Sequence, residues 1–161
     1  MSFARLIAGA ATNKDFANPT EIKAVGHVQS DTKVDEWTTA SLSFDDKISA
    51  QLFTGIFADT DSSVTVFGSK GTITAPNLWR PDLPDMAPMK IELAEYGKEA
   101  QEVSFDLDEP DLYAIEADAV ADAIFRGEKQ CKYMTWEDSM GQIRAVDKWR
   151  KEIGLVYPSD K

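Results

Sequence analysis

Two aromatic residues are the side chains of this sequence best suited to line a binding pocket. Trp79 lies in the segment Asn77 to Pro88, which together with Pro76 holds four of the seven prolines. Regular structure should stop there, so a large aromatic must either anchor the loop or face a pocket. Phe105 lies in a short predicted strand. Taken alone, burial is the commoner role of such side chains, because aromatics bury large areas.

Nucleophilic and metal chemistry are disfavoured by the residue counts. His27 is the only histidine and lies mid-strand without a neighbouring serine or cysteine signature, which favours a structural or surface role over a catalytic triad. Cys131 is the only cysteine, and no flanking motif indicates an activated thiolate. One cysteine and one histidine cannot build a zinc site unless carboxylates or another chain supply the remaining ligands. We therefore expect no catalytic and no metal-binding residue.

Carboxylate pairs and glycine-rich loops have local explanations. The acidic pairs all border turns, where aspartate is common for local hydrogen bonding; they are Asp45 with Asp46, Asp59 with Asp61, and Asp106 with Asp108. Gly68 and Gly71 link two strands, which favours a hairpin with glycine at positive φ over a phosphate cradle. Glycines closely spaced between a strand and a helix, as in the Rossmann fingerprint, do not occur.

Composition narrows the class of protein. The 161 residues carry 28 acidic and 17 basic side chains, a formal charge of −11 that would repel nucleic acid and an anionic membrane surface. A single cysteine fits a reducing cytoplasm. Without an apolar run of roughly 20 residues or a secretory signal, we expect a soluble protein of one domain, residues 1–161.

Strands come first along the chain. Ile22, Ala24 and Val28 alternate with polar residues, and the next two runs, near 39–44 and 48–56, alternate likewise across a short link at Asp45 to Lys47, which indicates a hairpin. A second hairpin is predicted around Gly68 to Gly71, and two shorter strands near 90–94 and 101–107.

Helical sequence lies at both ends. Phe3, Leu6, Ile7 and Ala10 have helical spacing. Two further helices are predicted, one with an apolar stripe and a stop at Gly127, the other with a capping box at Thr135 and a stop at Gly154. The stripe of the first consists of Tyr113, Ala117, Val120 and Ile124. The pattern predicts an α+β fold: one large, mostly antiparallel open sheet with helices on one face.

The other face of that sheet is predicted to be half apolar. The strand runs place Val25, Phe53 and Phe57 there beside polar residues. A patch of this kind suits a symmetric contact in which the same surface pairs with itself. We therefore expect a homodimer or higher homo-oligomer.

At this point the order of elements resembles the C-terminal domain of the Gfo/Idh/MocA oxidoreductases, especially the branch of dihydrodiol dehydrogenases and NADP-dependent xylose dehydrogenases. The most specific stretch is Val66 to Ile73 followed by Pro76 to Pro81. Ser2 to Gly9 resembles the helix that begins the second domain of the family. Tyr113 to Val120 and Trp149 to Pro158 are similar to its closing helices and tail.

The resemblance implies part of an enzyme. The dinucleotide-binding domain of the family and its catalytic lysine would precede Met1, so no cofactor-binding residue is expected here, and NAD or NADP is implied for the full-length parent. In this branch, aromatics that correspond to Trp79 and Phe105 help to enclose a sugar, polyol or cyclic diol, which makes them the expected substrate-binding residues. The isolated chain should be inactive.

Two other readings remain open. One is a free-standing, non-catalytic binding or assembly module that uses the same sheet. The weaker one is a small carboxylate-dependent hydrolase, which needs two converging acids, and the sequence identifies no such pair.

Overall fold

The computed structural model describes residues 1–45, 47–58, 60, 62–79, 89–105 and 112–157, with only the backbone at Met89. The described residues form three helices, which are α1 (Ser2–Ala11), α2 (Leu112–Phe125) and α3 (Trp136–Glu152). The strands are β1 (Glu21–Val28), β2 (Asp35–Phe44), β3 (Ile48–Gly55), β4 (Val64–Gly68), β5 (Gly71–Ala75), β6 (Met89–Glu95) and β7 (Gln101–Phe105). Within these ranges no helix is long and apolar enough to cross a membrane.

The α+β prediction is confirmed, and the strand pairings that the described residues make are all antiparallel. Where one large sheet was predicted, the pairings of the described residues form two, a three-stranded sheet β1-β2-β3 and a four-stranded sheet β4-β5-β6-β7. The chain divides into two compact units: unit 1 is Met1–Asp59 with Lys132–Lys161, and unit 2 is Thr60–Cys131.

Unit 1 is built on the alternation of β1 to β3. The inner face of the sheet carries the core, in which Ile22, Leu42 and Phe44 are at most 5% exposed. Ala8 of α1 and Ala145 of α3 belong to the same cluster, so these two helices cover that face. Burial of this apolar surface is the main term that holds the unit together.

Helix α1 buries a face that its apolar spacing did not predict. Of the predicted stripe, Leu6 is 43% exposed, and the buried residues of the helix are Arg5, Ala8 and Gly9. A Cβ on Gly9 would lie 2.7 Å from the Cα of Phe16, so the chain that follows α1 packs directly on this glycine. Because Ala8 and Gly9 are small, the backbone of the following segment can pack closely against α1. This contact determines the buried face, in place of the apolar spacing of the larger side chains.

Both predicted hairpins are present. Phe44 pairs with Ile48, and the backbone N–H of Lys47 donates to the Asp45 carboxylate at 2.9 Å, the local role expected for a turn aspartate. Gly68 pairs with Gly71 as predicted, but neither glycine has a positive φ.

Gly71 is required because a side chain at this position would not fit against the neighbouring strand. A Cβ at this position would overlap the carbonyl oxygen of Ala94 and lie 2.8 Å from the Cα of Glu95 on the neighbouring strand. Only glycine allows β6 to approach β5 this closely.

The two closing helices have the predicted ends. Thr135 caps α3 by accepting a hydrogen bond from the backbone N–H of Asp138, whose carboxylate accepts from the N–H of Thr135. Gly127 and Gly154 follow α2 and α3 with φ of 70° and 72°, the left-handed conformation of a helix stop.

Candidate functional site

Trp79 lies four residues after the end of β5, and its side chain is 56% exposed. Phe105 is the last residue of β7 and is 40% exposed. Neither side chain is buried in a core, unlike the usual large aromatic. Exposed aromatics are free to contact another molecule.

The topology of the four-stranded sheet brings these two positions to the same end. Neighbouring strands are antiparallel, so β5 and β7 run in the same direction with β6 between them. The register places Ala75 level with Val103, two residues before Phe105, so the last residues of the two strands lie near one end of the sheet, about 12 Å apart across two strand spacings and two residues. Trp79 follows Ala75 by four residues. We call this the aromatic end.

Phe105 also lies on the apolar face of this sheet. Val103 pairs with Ile91, and Ile73 pairs with Leu93 in the adjoining row. Alternation along β7 places Phe105 on the same face as Val103. The opposite face carries Thr74, Glu92 and Glu102 in one row. Phe105 thus adds an aromatic ring to an apolar wall, which can contact the C–H face of a bound molecule.

The cation nearest to Phe105 along the ladder is already engaged. Lys90 pairs with Ser104, and its ammonium lies 2.8 Å from a carboxylate oxygen of Glu102. Both side chains are on the face opposite Phe105. Among the described residues of this end, the contacts thus favour a binding surface over an acid–base centre.

The other candidates of the sequence are scattered. His27 lies on β1 in unit 1, with Nε2 3.7 Å from the Glu36 carboxylate. Cys131 is a half-buried free thiol at the end of unit 2. Asp122 lies 3.7 Å from Arg126, the ion pair that their helical spacing predicts. Asp46, Asp59, Asp61, Asp106 and Asp108 lie outside the described residues.

Sequence reasoning missed a buried cation, Arg5, which is 1% exposed. Its guanidinium donates to the Asn18 side chain at 3.1 Å and to the carbonyl of Asp138 at 3.0 Å. Burial lowers the pKa of the Arg5 guanidinium, and the Asp138 carboxylate opposes that shift. Arginine remains charged because its ordinary pKa lies far above neutral pH.

These bonds join α1 to the loop before β1 and to the start of α3, so Arg5 is structural. In the sequence Arg5 stands out only as a residue of a predicted helix, and that position does not reveal its hydrogen-bond partners.

The chain is similar to known proteins, but in each match named below the aligned region is less than half of that protein. No family model matches the chain. The scyllo-inositol 2-dehydrogenase (NADP(+)) IolU of Bacillus subtilis (strain 168) is 24% identical over 146 residues, which are 91% of this chain and 42% of that protein.

Two solved structures share the fold. KijD10, a 3-ketoreductase from Actinomadura kijaniata in complex with TDP-benzene and NADP, superposes with a TM-score of 0.72 at 21% identity over 93% of this chain and 45% of that chain. The UDP-N-acetylglucosamine 3-dehydrogenase GnnA from Acidithiobacillus ferrooxidans has a TM-score of 0.66 at 15% identity, over 91% of this chain and 44% of that chain.

These matches show that the chain has the fold of one part of each of these proteins. These matches support the resemblance to the Gfo/Idh/MocA oxidoreductases. The chain spans under half the length of the relatives named above.

Proposed function

We propose that this chain is the C-terminal domain of an NAD(P)-dependent oxidoreductase of the Gfo/Idh/MocA family, which acts on a sugar, a polyol or a cyclic diol. One observation carries the proposal: the likeness runs over 91% to 93% of this chain but over only 42% to 45% of a dehydrogenase and a ketoreductase. Within the family we favour the dihydrodiol and xylose dehydrogenase branch, on the resemblance at Val66 to Ile73 and at Pro76 to Pro81.

In this proposal Trp79 and Phe105 form part of the substrate pocket. A sugar or diol presents apolar C–H faces as well as hydroxyls, so aromatic walls can exclude water and orient the carbinol carbon. Their exposure and their place at one end of one sheet support this role. The two residues would act through binding and orientation, and proton transfer would need another group.

The N-terminus of α3 does not fit the pyrophosphate of a nicotinamide cofactor. A pyrophosphate is held at the N-terminus of a helix by free backbone N–H groups. At α3 the cap residue Thr135 and the carboxylate of Asp138 occupy that position, and a phosphate would meet a like charge there. We therefore assign NAD or NADP, and the group that exchanges a proton with the substrate, to the other half of the full-length enzyme.

Helix α2 exposes apolar side chains of the kind that another domain usually covers. The sequence predicts an apolar stripe, and of its members Val120 is 50% and Ile124 is 69% exposed. A helix of 14 residues is marginal in water without tertiary packing. We infer that the dinucleotide-binding half covers this stripe.

Self-association through the outer face of the three-stranded sheet is a further part of the proposal. Val25, Thr39 and Phe53 form one row across that face, and His27, Trp37 and Gly55 form the next. Val25 is 62%, Phe53 50% and Phe57 79% exposed. An apolar row of this kind can pair with itself in a symmetric dimer. A cytoplasmic location, proposed from the single cysteine, completes the assignment.

The experiment that tests the pocket is kinetic. In the full-length enzyme, Trp79→Ala and Phe105→Ala should each lower kcat/KM at least about tenfold, while Tm changes little. Phe67→Ala is the control, because Phe67 is 79% exposed on the other face of the same sheet, next to the hairpin. A loss of about 3 kcal/mol in stability with kinetics unchanged would show that the aromatic is a core residue instead.

The isolated chain supplies a second test. Calorimetry should detect no binding of NAD or NADP, because the sequence has no glycine-rich turn between a strand and a helix to hold the pyrophosphate. Micromolar binding of either nucleotide would overturn the assignment of the cofactor to the other half.

A further inference from the structure

We propose that unit 1 carries a binding site of its own, a cleft beside α3 that takes a small multivalent oxyanion such as phosphate or a dicarboxylate. The residues of this site all lie in unit 1, whereas Trp79 and Phe105 lie in unit 2. The anion site is therefore independent of the proposed function, and either can fail without the other. Three features support it: cations that line the cleft, a buried guanidinium behind its wall, and an amide group that the fold turns into a donor.

The cleft lies between the loop before β1 and one face of α3. Its volume is about 280 Å³, and its lining includes Asn18 and Pro19 from the loop and Gly141, Arg144, Ala145 and Lys148 from the helix. Gly141, Arg144 and Lys148 are three and then four positions apart, which keeps them on one side of the helix. Ligand pockets for larger molecules begin at about 300 Å³, so this cleft admits a small anion and not a dinucleotide.

Two cations of the lining have no partner in the described part of the chain. Arg144 and Lys148 are exposed and lie one helical turn apart. Neither forms a hydrogen bond or an ion pair with another described residue. Hydrogen bonds from a guanidinium or an ammonium to an oxyanion are about twice as strong as those between neutral groups. The pair can therefore hold an anion without first giving up an existing partner.

A third cation, Arg5, lies directly behind the wall of the cleft. Its side chain is 1% exposed, and a Cβ on Gly141 would overlap its Nη2 atom. A guanidinium has five N–H donors, and the described residues accept from two of its nitrogens, Asn18 Oδ1 from Nε and the Asp138 carbonyl from Nη1.

The charge of Arg5 has no carboxylate to compensate it. Among the described residues, nothing accepts a hydrogen bond from Nη2, and no carboxylate forms an ion pair with this guanidinium. Buried charges are costly unless an opposite charge lies nearby. An anion in the cleft would supply that charge from the other side of Gly141.

The acidic groups near the cleft are held by partners of their own. The Asp138 carboxylate accepts from the backbone N–H of Thr135 at 3.1 Å and from its hydroxyl at 2.6 Å, as part of the α3 cap. Asp147 also lines the cleft, and its carboxylate lies 3.4 Å from the guanidinium of Arg150, which is outside the lining. Arg144 and Lys148 thus keep their charge available for a ligand.

Asn18 adds a neutral donor. Its side-chain oxygen accepts from Nε of Arg5 at 3.1 Å, and this bond fixes which way the amide is turned. The NH₂ group of the same amide makes no hydrogen bond with another described residue. Phosphate and carboxylate groups offer several acceptor oxygens and no fixed donor, so they match a cleft that presents an amide N–H, a guanidinium and an ammonium.

The test is a titration of the isotope-labelled chain with inorganic phosphate, followed by nuclear magnetic resonance of the backbone amides. Sodium malonate is the second probe, and sodium chloride at matched ionic strength is the control. The signals of Asn18 and Gly141 should shift saturably with phosphate or malonate. Since the cleft is open to solvent and screened, we expect a dissociation constant on the order of 1 mM for the preferred anion.

The two probes distinguish the sources of the oxyanion. Tighter binding of phosphate would assign the cleft to a phosphate group, and tighter binding of malonate would assign it to a dicarboxylate. Shifts that are the same in all three salts, or that do not saturate, would overturn the proposal.

Matched variants locate the site. Lys148→Gln removes a cation of the cleft, so it should raise the dissociation constant at least about fivefold. Lys151→Gln removes the same charge from an exposed position of α3 outside the lining, and its effect should be less than half as large.

Asp147→Asn tests the site in the opposite direction. It removes the negative charge of the lining, so the dissociation constant should fall about threefold. A gain of affinity cannot arise from a loss of folded protein, so this variant does not depend on the stability of the others. Equal effects of Lys148→Gln and Lys151→Gln, or an affinity that Asp147→Asn leaves unchanged, would refute the assignment of the anion to this cleft.

Discussion

The indole Nε1 of Trp149 donates a hydrogen bond of 2.8 Å to the hydroxyl oxygen of Thr38, and that hydroxyl donates to the carbonyl of Val25 at 3.0 Å. Trp149 lies on α3 and Thr38 in the centre of β2, 111 residues apart in sequence. A Cβ on Gly26 would lie 2.9 Å from the Cβ of Thr38, so this glycine leaves the room that the threonine needs. We call these two hydrogen bonds the relay; they fix α3 to the middle of the three-stranded sheet.

The first prediction concerns this relay. Thr38→Val removes the acceptor for Trp149 and the donor for Val25 at a site that is 3% exposed, so it should lower the free energy of unfolding by about 2 kcal/mol in urea titrations. Thr39→Val is the control on the other face of β2, where the hydroxyl has one bond, to the Leu52 carbonyl, and should cost less than half as much. Combined with Trp149→Phe, Thr38→Val should show a coupling energy of about 1 kcal/mol, and additivity would argue against the relay.

Gly141→Ala should change stability in the direction opposite to that of most glycine-to-alanine replacements in helices. Replacing a glycine inside a helix by alanine normally stabilises by up to about 1 kcal/mol. Here a Cβ would overlap the Arg5 guanidinium and the Asn18 side-chain oxygen, so Gly141→Ala should destabilise by about 1–3 kcal/mol. Ser139→Ala, at an exposed position of the same helix, should have little effect. A Tm of Gly141→Ala at or above that of the unmodified chain would show that Arg5 can move aside.

In the chain produced alone from Met1, the free amino group of that residue should make stability depend on pH. Partial burial of the Met1 ammonium, with repulsion from Arg5, lowers the pKa of this group below its ordinary value of 8.0. Folding therefore disfavours the charged form, so the penalty is fully present below the folded pKa and disappears as the pH rises towards 8.

N-acetylation removes the charge and provides the measurement. In protein whose mass shows that Met1 is retained, the acetylated form should be more stable in urea below the lowered pKa, and the two forms should converge above pH 8. The other titrating groups are common to both forms and cancel in the difference. A gap that is constant with pH would contradict the shift.

Self-association should depend on the apolar row of the outer face. Phe53→Asp places a charge in the row formed by Val25, Thr39 and Phe53, and desolvation of that charge should shift the assembly to monomer in light scattering over the micromolar range. Gln51→Asp adds the same charge two residues away on the same strand and face, where Gln51 accepts from the Ser41 hydroxyl at 2.9 Å, and should have a smaller effect. A strictly monomeric unmodified chain would refute the proposed contact.

Features of short range were predictable from the sequence. The hairpin turns at Asp45 and at Gly68, the capping box at Thr135 and the stops at Gly127 and Gly154 all depend on residues within a few positions of one another. Alternation along β1 to β3 also identified the inner and outer faces, because side chains in a strand point to opposite sides in turn. The composition of the loop and the family resemblance singled out Trp79 and Phe105 in the sequence. That β5 and β7 end on the same side of the sheet could be known only from the strand order.

Other features depended on contacts between distant segments, which no local pattern specifies. The apolar spacing of α1 pointed to Leu6, yet the helix buries Arg5 because Asn18 and the Asp138 carbonyl satisfy the guanidinium. Gly71 is required by the closeness of β6, where its own turn would have suggested a positive φ.

The sequence by itself thus determined the elements, their ends and the total charge, since these depend on composition and on neighbours along the chain. Only the tertiary structure decided which face of a helix is buried and that β5, which Trp79 follows by four residues, ends on the same side of its sheet as β7, which ends at Phe105. Those properties depend on strand pairing and packing across long sequence separations, where the choice between competing burial faces is made by mutual fit.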